Sequence, residues 1–267
     1  MKILTLDEIA TQTPAALAIK AKPGLSSSYA FMSTSEAIQI HADVGWFPVS
    51  ARQISSREKE NIPYTRHQIV FRRSVDTAIS ELGYVLPEIR LVNNHTGKGS
   101  FRVFAGLMRL VCSNGMVAPS ASLGEIRVRH TIREATELRF LVESLSARIP
   151  ILMERALHWM KITLSQDQAV ALAEGALSVR FGREEDKWPV HPESLVFAVR
   201  RSADQSNNLW TVFNRIQENI LKGGREVVGK LNSKGQRRRV IPIRGIDQEI
   251  RINQELWSQA EQLALPA

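Results

Sequence analysis

Near residue 130 the hydrophobic patterning of this chain changes character, and that change restricts the fold more than any other feature of the sequence. Between Trp46 and His130 apolar residues fall in short runs broken by turns, whereas beyond them they recur at helical spacing over long stretches. Strands gathered ahead of helices build an α+β architecture. The expected form is a small, mainly antiparallel sheet packed with helices over about 46–130, then a mostly helical C-terminal half. With 267 residues, 43% of them hydrophobic, the chain can bury a sizeable core.

The segments follow from local signals. Residues 1–33 are weakly patterned, with Pro14, Pro23-Gly24 and Ser26-Ser27-Ser28, and read as a lead-in or arm. Thr34 caps a helix to Val44, stopped by Gly45, and GWFPVSARQIS is a strand. Pro63–Val75 alternates, Ile69 and Phe71 against Arg66, Gln68, Val70 and Arg72, which predicts a half-buried strand with a basic outer face. Glu88–Asn93 is another strand, followed by the turn Asn93–Ser100. Phe101–Val111 places Phe101, Phe104, Ala105, Met108 and Val111 on one helical stripe, although a short apolar run also suits a strand. Glu125–His130 is a strand, and Thr131 to Lys161 a long helix bent or divided at Pro150. Ser165-x-x-Gln168 opens a helix to Arg180 with a capping box. Further helices are expected at Glu193–Arg201, at Asn208–Leu221 and from Asp247 to Leu263. The domain plan is therefore a lead-in (1–33), an α+β core (34–221), a basic arm or hairpin (222–244) and a C-terminal helix (245–267).

The arm carries the charge. Lys222–Arg244 holds eight basic residues against the single acid Glu226, so it accounts for +7 of the formal +8 and leaves the rest near neutral. Its glycines 223, 224, 229 and 235, the triple Arg237-Arg238-Arg239 and the alternating Val240–Ile243 suggest a β-hairpin or mobile arm in place of a solvated loop. Charge gathered into one short stretch most commonly meets a phosphate backbone. Arg225, Lys230, Lys234, Arg237, Arg238, Arg239 and Arg244 are the candidate phosphate contacts. Arg72, Arg73, Lys98 and Arg102 form a second candidate surface, and Trp210, Tyr64, Phe71 or Trp46 are candidate stacking faces.

No catalytic, metal or cofactor motif accompanies this charge. Thr96-Gly97-Lys98 lacks the upstream glycine of a phosphate-binding loop, so it is a turn with an exposed lysine. Histidines 41, 67, 95, 130, 158 and 191 have no metal-ligand spacing; His95, on a turn, is the one that merits testing. Glu88, Glu125, Glu134 and Glu137 lack the spacing of a two-metal nuclease, and Asn93, Asn94 and Asn114 suit turn bracing. The lone Cys112 reads as a small core residue, and with no leader or 18-residue apolar run the chain is expected to be cytoplasmic, without membrane contact.

The stretches Leu91–Pro119, Leu209–Gly224 and Gly245–Trp257 resemble an uncharacterised family, a domain of unknown function common in bacteriophages, prophages and conjugative plasmids. Its most specific part is the turn with Asn93 and His95, followed by Cys-Ser-Asn-Gly with Asn114 and Gly115. The resemblance implies a mobile-element origin. By analogy of fold and context, the core is similar to ring-forming single-strand annealing proteins of phages. The resulting expectation is a non-enzymatic, homo-oligomeric protein that binds single-stranded DNA by its backbone and assists annealing or recombination. The alternatives are an interaction protein that modulates a host factor, and a metal-dependent nuclease.

Overall fold

The computed structural model describes residues 1–73, 85–109, 114–117, 125–128, 135–231 and 233–265, with the backbone alone at 114–117, 125–128, 135–136 and 230–231. The chain divides into two compact units, one formed by Met1–Ile79, Val85–Met108 and Ser120–Leu152, the other by the remaining residues. The architecture is α+β, as the change in periodicity predicts.

In the first unit the sheet runs in the order β1 (Phe47–Gln53), β2 (His67–Arg72), β3 (Val85–Asn93), β4 (Phe101–Arg109). β1–β2 and β2–β3 are antiparallel, and β6 (Glu125–Val128) pairs antiparallel with β4 from Phe101↔Val128 to Phe104↔Glu125. β5 (Asn114–Val117) belongs to the second unit. On one face of β2 and β3, His67, Ile69 and Phe71 stand opposite Asn93, Leu91 and Ile89. Helix α2 (Thr34–Asp43) contributes His41, whose ring stacks on Phe71 at 4.1 Å. The other face carries Gln68, Val70, Arg72, Glu88 and Arg90.

Three expectations need correction here. β2 has no basic outer face, because Gln68 and Val70 are buried with the rest of the strand and Arg72 turns onto Glu88. Phe101–Arg109 is a strand and not a helix: it is buried on both sides, so it has no period-two alternation and its apolar residues coincide with a helical stripe. Its place beside β3, and pairing with β6 from Phe101 to Phe104, supply its hydrogen bonds. The first 33 residues are not a loose arm either. Thr5 and Glu8 close a capping box at the start of α1 (Leu6–Gln12), Ile9, Ala15 and Ala16 are buried, and Leu4 N–H donates to the Pro48 carbonyl at 2.8 Å on the β1 edge.

Helix α3 (Ala135–Trp159) passes through Pro150 unbroken. Pro150 is exposed, while Val142, Leu145, Ile149 and Leu152 keep one buried stripe. Apolar burial on that stripe outweighs the missing hydrogen bond.

The second unit is helical. α4 (Gln166–Phe181) opens with the expected Ser165/Gln168 capping box, and α6 (Leu209–Lys222) is capped by Asn208, whose Oδ1 accepts from Thr211 N–H at 2.8 Å. Every α6 residue from Leu209 to Leu221 is buried, enclosed by α4, α5 (Glu193–Val196) and α7 (Ile246–Leu263). Trp159, Trp210, Phe213 and Trp257 form an aromatic cluster, Trp159 and Trp257 lying 4.5 Å apart between centroids. α5 ends well short of Arg201 because Asn219 Nδ2 donates to the Leu195 and Ala198 carbonyls at 2.9 and 3.0 Å, holding that stretch in an irregular path. α7 is capped by Gly245 in place of Asp247, which sits in the first turn where its charge complements the helix dipole.

Candidate nucleic-acid interface

The basic segment folds as a two-stranded ribbon, β7 (Glu226–Leu231) and β8 (Arg237–Arg239), with Glu226 opposite Arg239 and Leu231 opposite Arg237. Gly229 and Gly235, at φ 65° and 74°, supply left-handed backbone where the ribbon bends and turns. Its base is fixed to the helices. Gly224 N–H donates to the Val240 carbonyl, Val240 N–H to Arg225 and Ile243 N–H to Leu221, each at 2.8 Å, and Val228 N–H reaches the Pro189 carbonyl at 2.9 Å.

The polar side of α6 supplies the anchor. Asn219 Oδ1 accepts from Arg200 Nε at 2.8 Å, and Arg200 Nη2 donates to the Gly223 carbonyl at 2.6 Å. Glu218 accepts from Arg201 and from Lys222. Burial works to raise the Glu218 carboxyl, but the hydrogen bonds from Arg201 and Lys222 outweigh it and hold the group below its ordinary value. Burial lowers the Arg200 pKa, and repulsion from Arg225 lowers it further. Arg200, Arg201, Lys222 and Arg225 thus gather at the ribbon base around the carboxylate of Glu218.

Beyond the base, Arg237, Arg238, Arg239, Lys234 and Arg244 are exposed and Arg225 is half-buried; the Lys230 side chain lies outside the described residues. Arg237 is partly neutralised by Glu226 at 2.7 Å. Beside the ribbon lies an open groove of about 970 Å³ lined by Arg180, Phe181, Pro189, Glu226, Val227 and Gln236–Ile241. Arg180, a residue that sequence reasoning missed, donates to the Ile220 carbonyl and, at 2.5 Å, to the Ile241 carbonyl, with its guanidinium 4.9 Å from the Phe181 ring centroid. Burial lowers its pKa. Only the pairing of α4 with the ribbon brings these residues together. The local signal was slight: a cation and an aromatic just ahead of Gly182.

In the second candidate surface the three arginines are half-buried against neighbouring groups. Arg72 is bound to Glu88 at 3.2 Å and to the Met108 sulfur, Arg73 lies over the Trp46 ring at 5.0 Å, and Arg102 over Phe104 at 4.6 Å. Lys98 alone of that group is exposed. The proposed stacking faces Trp46, Phe71 and Trp210 are buried in cores, and Tyr64 is half-buried.

The Asn93–His95 turn is a structural lock. His67 Nδ1–H donates to the Thr65 carbonyl at 2.9 Å, which leaves Nε2 to accept from the Thr34 hydroxyl at 2.8 Å. Asn93 Nδ2 donates to that hydroxyl at 2.9 Å and to the Met32 carbonyl at 3.0 Å. His95 is fully buried between Phe31 and His67, and its backbone binds Tyr64 and Lys22. Asn94 braces the turn through Thr96 and Lys98. Asn114 and Gly115 lie on β5, described by backbone alone, and Cys112 and Glu134 lie outside the described residues.

Among the described residues, no group of three or more His, Cys, Asp or Glu side chains stands together as a metal site, and no helix is long and apolar enough to cross a membrane. Glu88 is enclosed by Arg72 and Arg90, whereas Glu137 is exposed. No solved structure matches the chain significantly. The chain is 33% identical over 263 residues to UPF0380 protein YfjQ of Escherichia coli (strain K12), covering 97% of this chain and 91% of that protein. It is 34% identical, with the same coverage, to UPF0380 protein YafZ of the same organism. With this similarity over nearly its full length and a match over residues 24–257, the chain belongs to the family described as Domain of unknown function (DUF932).

Proposed function

We propose that the protein is a non-enzymatic nucleic-acid-binding protein of a mobile element that holds single-stranded DNA by its backbone and, as a homo-oligomer, assists annealing or recombination. The observation that carries this reading is the ribbon: Arg237, Arg238 and Arg239 are consecutive, exposed and mounted on a base hydrogen-bonded to a buried helix. A rigid base presents the guanidinium groups without ordering a free loop at the moment of binding, which conserves affinity. Arg225, Lys234 and Arg244 extend the cationic surface. Oligomerisation would join the per-subunit patches into one groove and raise avidity.

The test is fluorescence anisotropy with single- and double-stranded DNA at two salt concentrations, using the wild type and an Arg237/Arg238/Arg239→Ala variant, with a parallel Mg²⁺ incubation. The expected result is salt-sensitive binding that the triple substitution weakens by at least about tenfold, with log K against log[salt] falling by roughly 0.7 per phosphate on a single strand. Absence of binding at low salt would leave the interaction-protein alternative, and cleavage in Mg²⁺ would establish a nuclease.

A further inference from the structure

Resting on this proposed DNA binding, we infer that Phe181, with Ile241 and Pro189, forms a base-contacting wall that makes the groove selective for unstacked single strands. These three side chains line the same groove as Arg180 and Arg237–Arg239, so apolar surface and cations face one volume. Ile241 is 76% exposed, an aliphatic side chain left to water beside a guanidinium cluster. A single exposed isoleucine means little. Joined in one groove with an aromatic ring and a proline, it forms a surface that phosphates cannot use. Phe181 is half-buried at the end of α4, and Arg180 lies over its ring, held there by the carbonyls of Ile220 and Ile241. The ring is therefore placed by the same contacts that seat the ribbon. Of the five tryptophans, Trp46, Trp159, Trp210 and Trp257 are fully buried, and Trp188 is half-buried with its Nε1–H donated to the Gly182 carbonyl at 2.7 Å.

The chemistry follows from what each form of DNA presents. A duplex shows phosphates outward and keeps its base faces stacked inside, so it can engage the arginines and not the wall. A single strand offers both groups, and base–aromatic stacking is sequence-tolerant because every base has a π-face. At about 970 Å³ the open groove is in the size range of clefts that take small organic ligands.

The experiment uses the full chain with oligothymidylate, an abasic strand of equal length, and a duplex. The variants are Phe181→Leu, which keeps apolar volume but removes the ring, Phe181→Trp, which keeps a ring, and Arg238/Arg239→Ala. Phe181→Leu is expected to weaken oligothymidylate binding roughly five- to a hundred-fold while leaving the salt slope and abasic-strand affinity unchanged; Phe181→Trp retains binding. Arg238/Arg239→Ala lowers affinity for all three nucleic acids and flattens the salt slope. Equal wild-type affinity for thymidylate and abasic strands, or an equal loss on both with Phe181→Leu, overturns the base-contacting wall while leaving phosphate binding intact. No wild-type binding to any of the three removes the DNA-binding reading itself.

Discussion

Glu88 is a buried carboxylate held between two guanidinium groups, Arg90 at 2.6 Å and Arg72 at 3.2 Å. Removing one partner of a buried ionic cluster strands the others away from water. Glu88→Ala is expected to cost about 3–5 kcal/mol, read as a lower midpoint in urea denaturation; an unchanged midpoint would mean the arginines find water. Gly223 makes a different demand. Its φ of 61° is left-handed, and a Cβ there would sit 2.4 Å from the Val240 carbonyl oxygen. Gly223→Ala should therefore destabilise the second unit by roughly 1–3 kcal/mol and loosen the ribbon base, seen as faster amide exchange at Gly224 and Val240. The sequence marks Gly223 as a helix stop, since glycine after a helical run is local chemistry. Glu88 carries no such mark, because its partners come from a neighbouring strand and from its own strand two residues on.

The pairing of α2 with the sheet depends on neutral histidines. Burial pushes His41 down to about 4, against a hydrogen bond to Ala37 that favours the proton. Burial pushes His67 down to about 3, opposed by the Thr65 hydrogen bond and reinforced by His95 and Arg66. The unfolded chain takes up these protons near pH 6.5 and the folded chain refuses them, so stability present above that pH is lost as pH falls. The loss amounts to about 1.4 kcal/mol per pH unit for each histidine until its folded pKa is reached. Thermal melts should show a lower Tm at pH 5 than at pH 7, with the difference shrinking in a His41→Gln variant; a flat profile would sink the assignment. The ribbon behaves oppositely. Arg238 and Arg239 are exposed, so replacing them with alanine should shift stability by less than about 0.5 kcal/mol while reducing salt-dependent DNA binding. The Ser165/Gln168 capping box, the basic hairpin or arm and four strands of the sheet are legible because each is written in a few adjacent residues, whereas α2 is capped by Ser33 and not Thr34. β4 is not legible as a strand, because burial on both faces erases the alternation that identifies one.

For the molecule as a whole, net charge is confined to one segment: +7 of the formal +8 lies in Lys222–Arg244, and the remaining basic and acidic residues nearly balance in number. The sequence by itself determined the α+β class, the boundary near residue 130, the Ser165/Gln168 capping box and a basic arm or hairpin. Periodicity, caps, turn residues and net charge are short-range properties that survive without knowledge of packing. Tertiary structure decided which of the cations are exposed. Arg72, Arg73 and Arg102 look as basic in sequence as Arg237–Arg239, yet the first three rest half-buried on Glu88, Trp46 and Phe104, whereas Arg238 and Arg239 are exposed and Arg237 is exposed but paired with Glu226. Distant residues likewise decided that the N-terminal lead-in packs as core and that Arg180 and Phe181 join the ribbon in one groove. A side chain's charge is covalent and can be read from its letter, but its desolvation and its partners are set by residues tens of positions away, and only the fold brings those together.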